Sequence, residues 1–169
     1  MPTHFLCDIS HYENLPVNWA QVNFKSVFST ISSKQYQIQQ SEIKENGKIP
    51  VVSQSQRLVE GYSDNVEKML HVKTPLIIFG DHTRIAKFID FSFIVGADGV
   101  KIIKPLIDDL YAFYLIQHAV KQIENKGYSR HFQFLAKQRF NIPPYEEQKR
   151  IVKIINNLFS KLDTITADL

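Results

Sequence analysis

Asp81 and His82 stand together after a glycine, and Asp90 and Asp98 follow at the ends of apolar runs. Two carboxylates and an imidazole are a usable ligand set for a divalent ion, and would make the chain a small metal-dependent nuclease. The same residues also suit turns, because an aspartate after a glycine hydrogen-bonds its own backbone and tightens the bend. His4, His11, His71, His118 and His131 are scattered without ligand spacing, and nothing beside Cys7 signals an activated thiol. Gly80 and the Gly96-Ala97-Asp98-Gly99 pair lack the Lys-Ser/Thr and the receiving helix of a phosphate cradle. Neither a nucleotide site nor a glycine-rich S-adenosylmethionine site is expected, and no cofactor.

Basic residues offer a different chemistry. Between Gln117 and Lys161, nine Lys and Arg face three Glu, a surplus of six that exceeds the net +3 of the whole chain. Within this stretch, Gly127-Tyr128-Ser129-Arg130-His131 combines a flexible residue, an aromatic, a hydroxyl and two cation-capable side chains. Gln54 and Gln56 with Arg57, and His82 and Thr83 with Arg84, form similar clusters in other loops. Such groups hold phosphates and read base edges in DNA. A solvated basic face accounts for the same composition, and composition alone does not choose between the two.

These candidates sit on a recognisable series of elements. Leu15-Pro16 and the alternation through Trp19, Val22, Phe24, Val27 and Phe28 predict a strand followed by a short helix up to Ile31. Residues 32–48 are polar and end at the turn dipeptide Asn46-Gly47, giving a surface loop or exposed hairpin. Ile49 to Val52 reads as a strand, with a loop over 54–61. Residues 71–105 hold four apolar runs separated by Gly and Asp, which predict a largely antiparallel, meander-like sheet and the core. Asp108 and Asp109 cap a helix that should run to about Asn125 and stop at Gly127.

A second helix is expected from Glu146 onward. Ile151, Ile155, Leu158, Leu162, Ile165 and Leu169 alternate at spacings of four and three, the seam of a coiled coil, while Ile154 and Phe159 flank it and should dock the near end onto the domain. A stripe of this kind seeks a partner helix, so self-association is expected.

With 169 residues the chain has room for one domain and an appended element. Its 44% hydrophobic and 22% charged content suffices to bury a core and excludes a disordered tail. The lone Cys7 rules out an internal disulfide or a multi-cysteine zinc site and suits a reducing compartment. No secretory signal is visible in the first twenty residues and no apolar run approaches the roughly 20 residues of a membrane helix, so a cytoplasmic protein without membrane contact is expected.

Ile142-Pro143-Pro144-Tyr145-Glu146-Glu147-Gln148-Lys149-Arg150-Ile151-Val152 closely resembles the I-P-P-x-x-E-Q-x-x-I-V segment opening the conserved helix of type I restriction–modification specificity subunits. Further matches lie upstream in the same order. They are Leu15-Pro16 through Trp19, Ile49 to Gln54, Gly61-Tyr62, Gly80-Asp81-His82-Thr83, Gly96-Ala97-Asp98-Gly99 and Gly127 to His131. The resemblance covers nearly the whole chain, but the family's subunits usually carry two recognition domains and two conserved helices. This chain resembles half a specificity subunit.

What the resemblance implies is a mixed α/β (α+β) fold, with a strand-rich target recognition domain over 1–143 and a coiled-coil docking helix over 144–169. Such a module is not catalytic; it reads one half of a bipartite site in double-stranded DNA. Gln54, Arg57, His82, Arg84, Tyr128, Ser129, Arg130 and His131 are the candidate DNA-binding residues. The seam residues would pair with a second copy or a second half-subunit, and methyltransferase subunits, with restriction subunits as a further partner, would dock on the assembly. The other two readings are the metal-dependent nuclease and a coiled-coil interaction protein with no role on DNA.

Overall fold

The computed structural model describes residues 16–96, 99–124 and 130–167. The expected strand and short helix before Ile31 are present, and a second strand follows them: β1 (Ala20–Asn23), α1 (Phe24–Val27) and β2 (Phe28–Ile31). The polar 32–48 segment lies on the surface but contributes β3 (Gln37–Ile38), whose Ile38 is buried. Then come β4 (Ile49–Val52), β5 (Gly61–Ser63), β6 (Leu76–Gly80), β7 (Ala86–Ile89), β8 (Ile94–Gly96) and β9 (Val100–Pro105). The C-terminal part holds α2 (Asp109–Lys121), α3 (Phe132–Leu135), β10 (Arg139–Ile142) and α4 (Tyr145–Ala167). No helix among the described residues is long and apolar enough to cross a membrane.

The meander expected over 71–105 is not formed. β7 does return antiparallel to β6, but β8 leaves that sheet, and β9 pairs with the other edge of β6, giving the order β2-β9-β6-β7. With both edges of β6 taken, β8 pairs in parallel with β3 and β4 in a second sheet of order β3-β8-β4-β5. Burial explains the choice. Ile94, Val95 and Gly96 are all buried, and a short strand that is apolar on both faces belongs in the middle of a covered sheet.

The strand period divides each run between two cores. Ile77 and Phe79 of β6 face the helices and join Phe28, Ile103, Ala112, Ile116, Leu135 and Val152, whereas Leu76 and Ile78 face the second sheet with Ile89, Ile102, Val52, Val95 and Phe93. Helices, first sheet and second sheet are therefore three stacked layers. A smaller cluster of Ile38, Ile49, Val51 and Ile94 closes the outer face. Truncating a fully buried aliphatic such as Ile116 to alanine would cost about 2–5 kcal/mol.

α2 begins as expected, with the Asp108 side chain accepting the Tyr111 N–H at 2.9 Å. Two pieces join the chain's distant segments. β10, a strand that the sequence patterning does not announce, pairs antiparallel with β1, Ala20 opposite Ile142 and Asn23 opposite Arg139. α4 then starts after Pro143-Pro144, and its Gln148 is buried against both neighbours. Its amide donates to the Pro143 carbonyl at 2.9 Å, and its Oε1 accepts the Asp108 N–H at 3.1 Å.

Candidate nucleic-acid interface

The basic clusters that are separate in sequence meet at one end of the first sheet, around the β6–β7 turn. That turn is closed by Gly80 N–H donating to the Ile85 carbonyl at 2.8 Å, and Arg84 N–H donating to the Gly80 carbonyl at 2.9 Å; Arg84 takes a left-handed φ of 61°. Against it lies the 53–60 loop. Gln54 Oε1 accepts the His82 N–H at 3.2 Å, and the Gln54 carbonyl accepts the Thr83 hydroxyl at 2.8 Å. Glycine is required at position 80, because a Cβ there would fall 2.8 Å from the Gln54 Cβ and on the Thr83 hydroxyl.

Asp81 ties in the third segment. Its side chain is 5% exposed; Oδ1 accepts the Phe132 N–H at 2.8 Å, and Oδ2 lies 3.5 Å from the Lys101 ammonium. Its backbone is used as well. The Asp81 N–H donates to the Gly99 carbonyl at 2.7 Å, and the Asp81 carbonyl accepts the His131 N–H at 2.8 Å. The His131 ring Nδ1 is 3.0 Å from the same carbonyl, which can only accept, so this nitrogen carries the proton.

These contacts sort the candidates. Arg57 and Arg130 are exposed, Gln54, His82 and Arg84 are half-buried, and all five lie on the converging segments. Arg84 also spends one guanidinium donor on the Ile123 carbonyl, 2.8 Å away at the end of α2, where a cation is favoured by the helix dipole. His131 stands apart from these five. It is wholly buried, and both its backbone and its ring are committed to Asp81, so it supports the site from inside. Tyr128 and Ser129 lie outside the described residues.

The metal-site reading loses its geometry. Asp81 and Asp90 sit at opposite ends of the β6–β7 hairpin, since Leu76 pairs with Ile89 and Phe79 with Ala86. The Asp81 carboxylate is already held by Phe132 and Lys101, and Asp98 lies outside the described residues. Among the described residues no group of three or more His, Cys, Asp or Glu side chains is placed to hold a metal ion.

Sequence reasoning missed Lys87 and Glu60. Lys87 is buried on β7 and donates to the Ser53 carbonyl at 2.8 Å and to the Arg57 carbonyl. Burial pushes its ammonium below the ordinary lysine range, and the nearby Glu60 charge opposes this. The Glu60 carboxylate is held below its ordinary range, first by the Ser55 hydroxyl, against the effect of burial, then by the Ser53 hydroxyl and the Arg57 and Lys87 charges. The visible signal was position: in Ile85-Ala86-Lys87-Phe88-Ile89, alternation puts Lys87 on the same face as Ile89.

On α4 the seam is open. Ile151 and Ile155 are half-buried at the base, whereas Leu158, Leu162 and Ile165 are 56%, 56% and 59% exposed, and Leu169 lies outside the described residues. The expected docking through Ile154 is not seen, because Ile154 is 44% exposed on the far side. Val152 and Gln148 seat the helix instead. Tyr114 extends this seat, its hydroxyl donating to Asn156 Oδ1 at 2.6 Å and its ring lying 6.2 Å from that of Phe159.

Comparison with known proteins gives a consistent result. None of the curated proteins matches the chain. Among solved structures, the HsdS subunit from Thermoanaerobacter tengcongensis matches 92% of this chain and 41% of its own length, with 15% identity and a TM-score of 0.68. The type I restriction-modification system S subunit from M. genitalium matches 92% of this chain and 42% of its own, at 15% identity and a TM-score of 0.67. A chain from a study of complex assembly and conformational transition of the type I R-M system gives 14% identity and a TM-score of 0.70 over 92% of this chain and 42% of that one. At such identities the likeness is one of fold, and the chain spans about two-fifths of the length of these structures. A family model described as the type I restriction modification DNA specificity domain matches residues 16–169, and the chain belongs to that family.

Proposed function

We propose that the chain is a non-catalytic DNA-reading module of a type I restriction–modification system, contacting one half of a bipartite target in double-stranded DNA. The observation that carries this reading is the convergence of loops 53–60, 80–85 and 130–132 on one face, tied by Gln54 and Asp81, with Arg57 and Arg130 outward. Arginines held on a prepared surface suit a phosphate backbone and base edges. Residues 1–143 act as the recognition domain and 144–169 as the docking helix. The exposed Leu158, Leu162 and Ile165 support pairing of α4 with a second copy or a second half-subunit, and methyltransferase and restriction subunits assemble on that pair. The lone Cys7 supports a cytoplasmic setting.

The test is duplex DNA binding by the purified chain across a salt series, with mass in solution recorded by light scattering. A dimer whose affinity falls steeply between about 50 and 200 mM salt is expected, because each phosphate contact releases counterions. Absence of salt-dependent affinity would overturn the reading in favour of a coiled-coil interaction protein. By two-fold symmetry, a homodimer should select two inverted half-sites at a fixed separation.

A further inference from the structure

The 53–60 loop is supported from inside the protein. Lys87 occupies a β7 position on the face turned toward the core between the sheets, is 6% exposed, and holds the Ser53 and Arg57 carbonyls from beneath. The Glu60 carboxylate accepts the Ser53 hydroxyl at 2.9 Å and the Ser55 hydroxyl as well. Burying an ammonium is costly even when its hydrogen bonds are made, and an apolar residue at this alternating position would fill the face at less cost. What the lysine supplies is a fixed path for the backbone between residues 53 and 57.

Beyond that support stand three exposed side chains, Gln56, Arg57 and Leu58, the last of them 52% exposed. An exposed leucine on a polar loop contributes nothing to solvation. Apolar groups do, however, pack against thymine methyl groups and base steps.

We infer that Lys87 is a positioning residue for DNA reading, which never touches the nucleic acid but fixes the 53–58 backbone so that Arg57 meets a phosphate while Leu58 meets base edges. This inference rests on the DNA-reading function proposed above.

The probe is a duplex pool enriched from a random-sequence library by the wild-type chain at low salt. Lys87→Met is compared with wild type, and Lys87→Met added to an Arg57→Ala/Leu58→Ala chain is compared with that chain. Lys87→Met is expected to weaken binding about tenfold in the wild-type background. In the doubly truncated background it should have less than about a twofold effect, because the groups it positions are gone. Equal losses in the two backgrounds overturn the inference, since a general weakening of the fold acts whatever stands on the loop. A Lys87→Met chain that binds like wild type overturns it too. Amide hydrogen exchange of the free protein separates the inference from the functional reading. Lys87→Met should accelerate exchange about tenfold at Ser55 and Glu60, whose N–H groups are held by the Ser53 hydroxyl and the Val51 carbonyl, and leave the β6 amides unchanged. Unchanged loop exchange overturns the positioning role alone, whereas failure of wild type to enrich any duplex overturns the DNA reading and this inference with it.

Discussion

Replacing Asp81 by alanine should unseat the junction between the β6–β7 turn and α3. Oδ1 accepts the Phe132 N–H at 2.8 Å, in a side chain 5% exposed. A hydrogen bond to an ionised group contributes about 1.5–3 kcal/mol, and a covered donor left without an acceptor costs about 1–3 kcal/mol more. Lys101, 3.5 Å from Oδ2, keeps 41% of its side chain exposed and stays hydrated, so losing the ion pair adds little. The expected cost is about 2.5–6 kcal/mol, a large part of the roughly 5–15 kcal/mol that holds a domain of this size. Asp81→Asn retains an acceptor at the Oδ1 position and should cost about 1–2 kcal/mol. Urea unfolding followed by circular dichroism reads both, with stability falling from wild type to Asn to Ala. An alanine variant within about 1 kcal/mol of wild type would refute the reasoning. So would an asparagine variant more stable than wild type, because neutralisation relieves a carboxylate kept for a metal but not one kept for the fold.

Leu158→Glu combined with Leu162→Glu should abolish self-association in light scattering while changing the unfolding free energy of the isolated chain by less than about 0.5 kcal/mol, since both residues are 56% exposed. A dimer that persists places the contact elsewhere. Glu60 gives a pH signature, because its folded carboxyl is held below the ordinary 4.5, chiefly by the Ser55 hydroxyl. Its stabilisation is fully present above that value and is lost as the pH falls through the folded value. The stability gap between wild type and Glu60→Gln should therefore be largest near neutral pH and narrow on acidification in urea titrations, and a gap independent of pH would count against the role assigned to Glu60.

Elements were more legible in the sequence than their partners. Alternation located the apolar runs from Leu76 to Ile103, and the four-three spacing located α4, because both periods are local properties of the chain. The destination of β8 was not local. Whether Ile94-Val95-Gly96 continues beside β7 or crosses to β3 and β4 depends on which edges are already occupied, and that is settled by β9, later in the chain. The pairing of β10 with β1 was hidden for the same reason. In the site, the glutamine and arginine clusters were visible as composition, but the groups that bring them together were not. His131 reads as one more surface cation until its ring is seen buried on the Asp81 carbonyl, and Lys87 reads as a gap in an apolar run until its ammonium is seen beneath a loop some 30 residues earlier.

The pairing of β1 with β10 also bears on when this protein can fold. Gln21 and Asn141 are 120 residues apart, and β2 likewise waits for β9. Contacts of such separation slow folding, because loop entropy is lost before any contact repays it. At about 5–20 residues per second, a ribosome takes roughly 6–24 s to make that much chain. Phe24, Val27 and Phe28 spend that interval without Phe140 and Ile142, the core partners that β10 brings. The nascent chain is thus most vulnerable to aggregation, and most attractive to chaperones, at its early aromatic segment. The seat of α4, made by Gln148 and Val152, is likewise completed only when the domain closes.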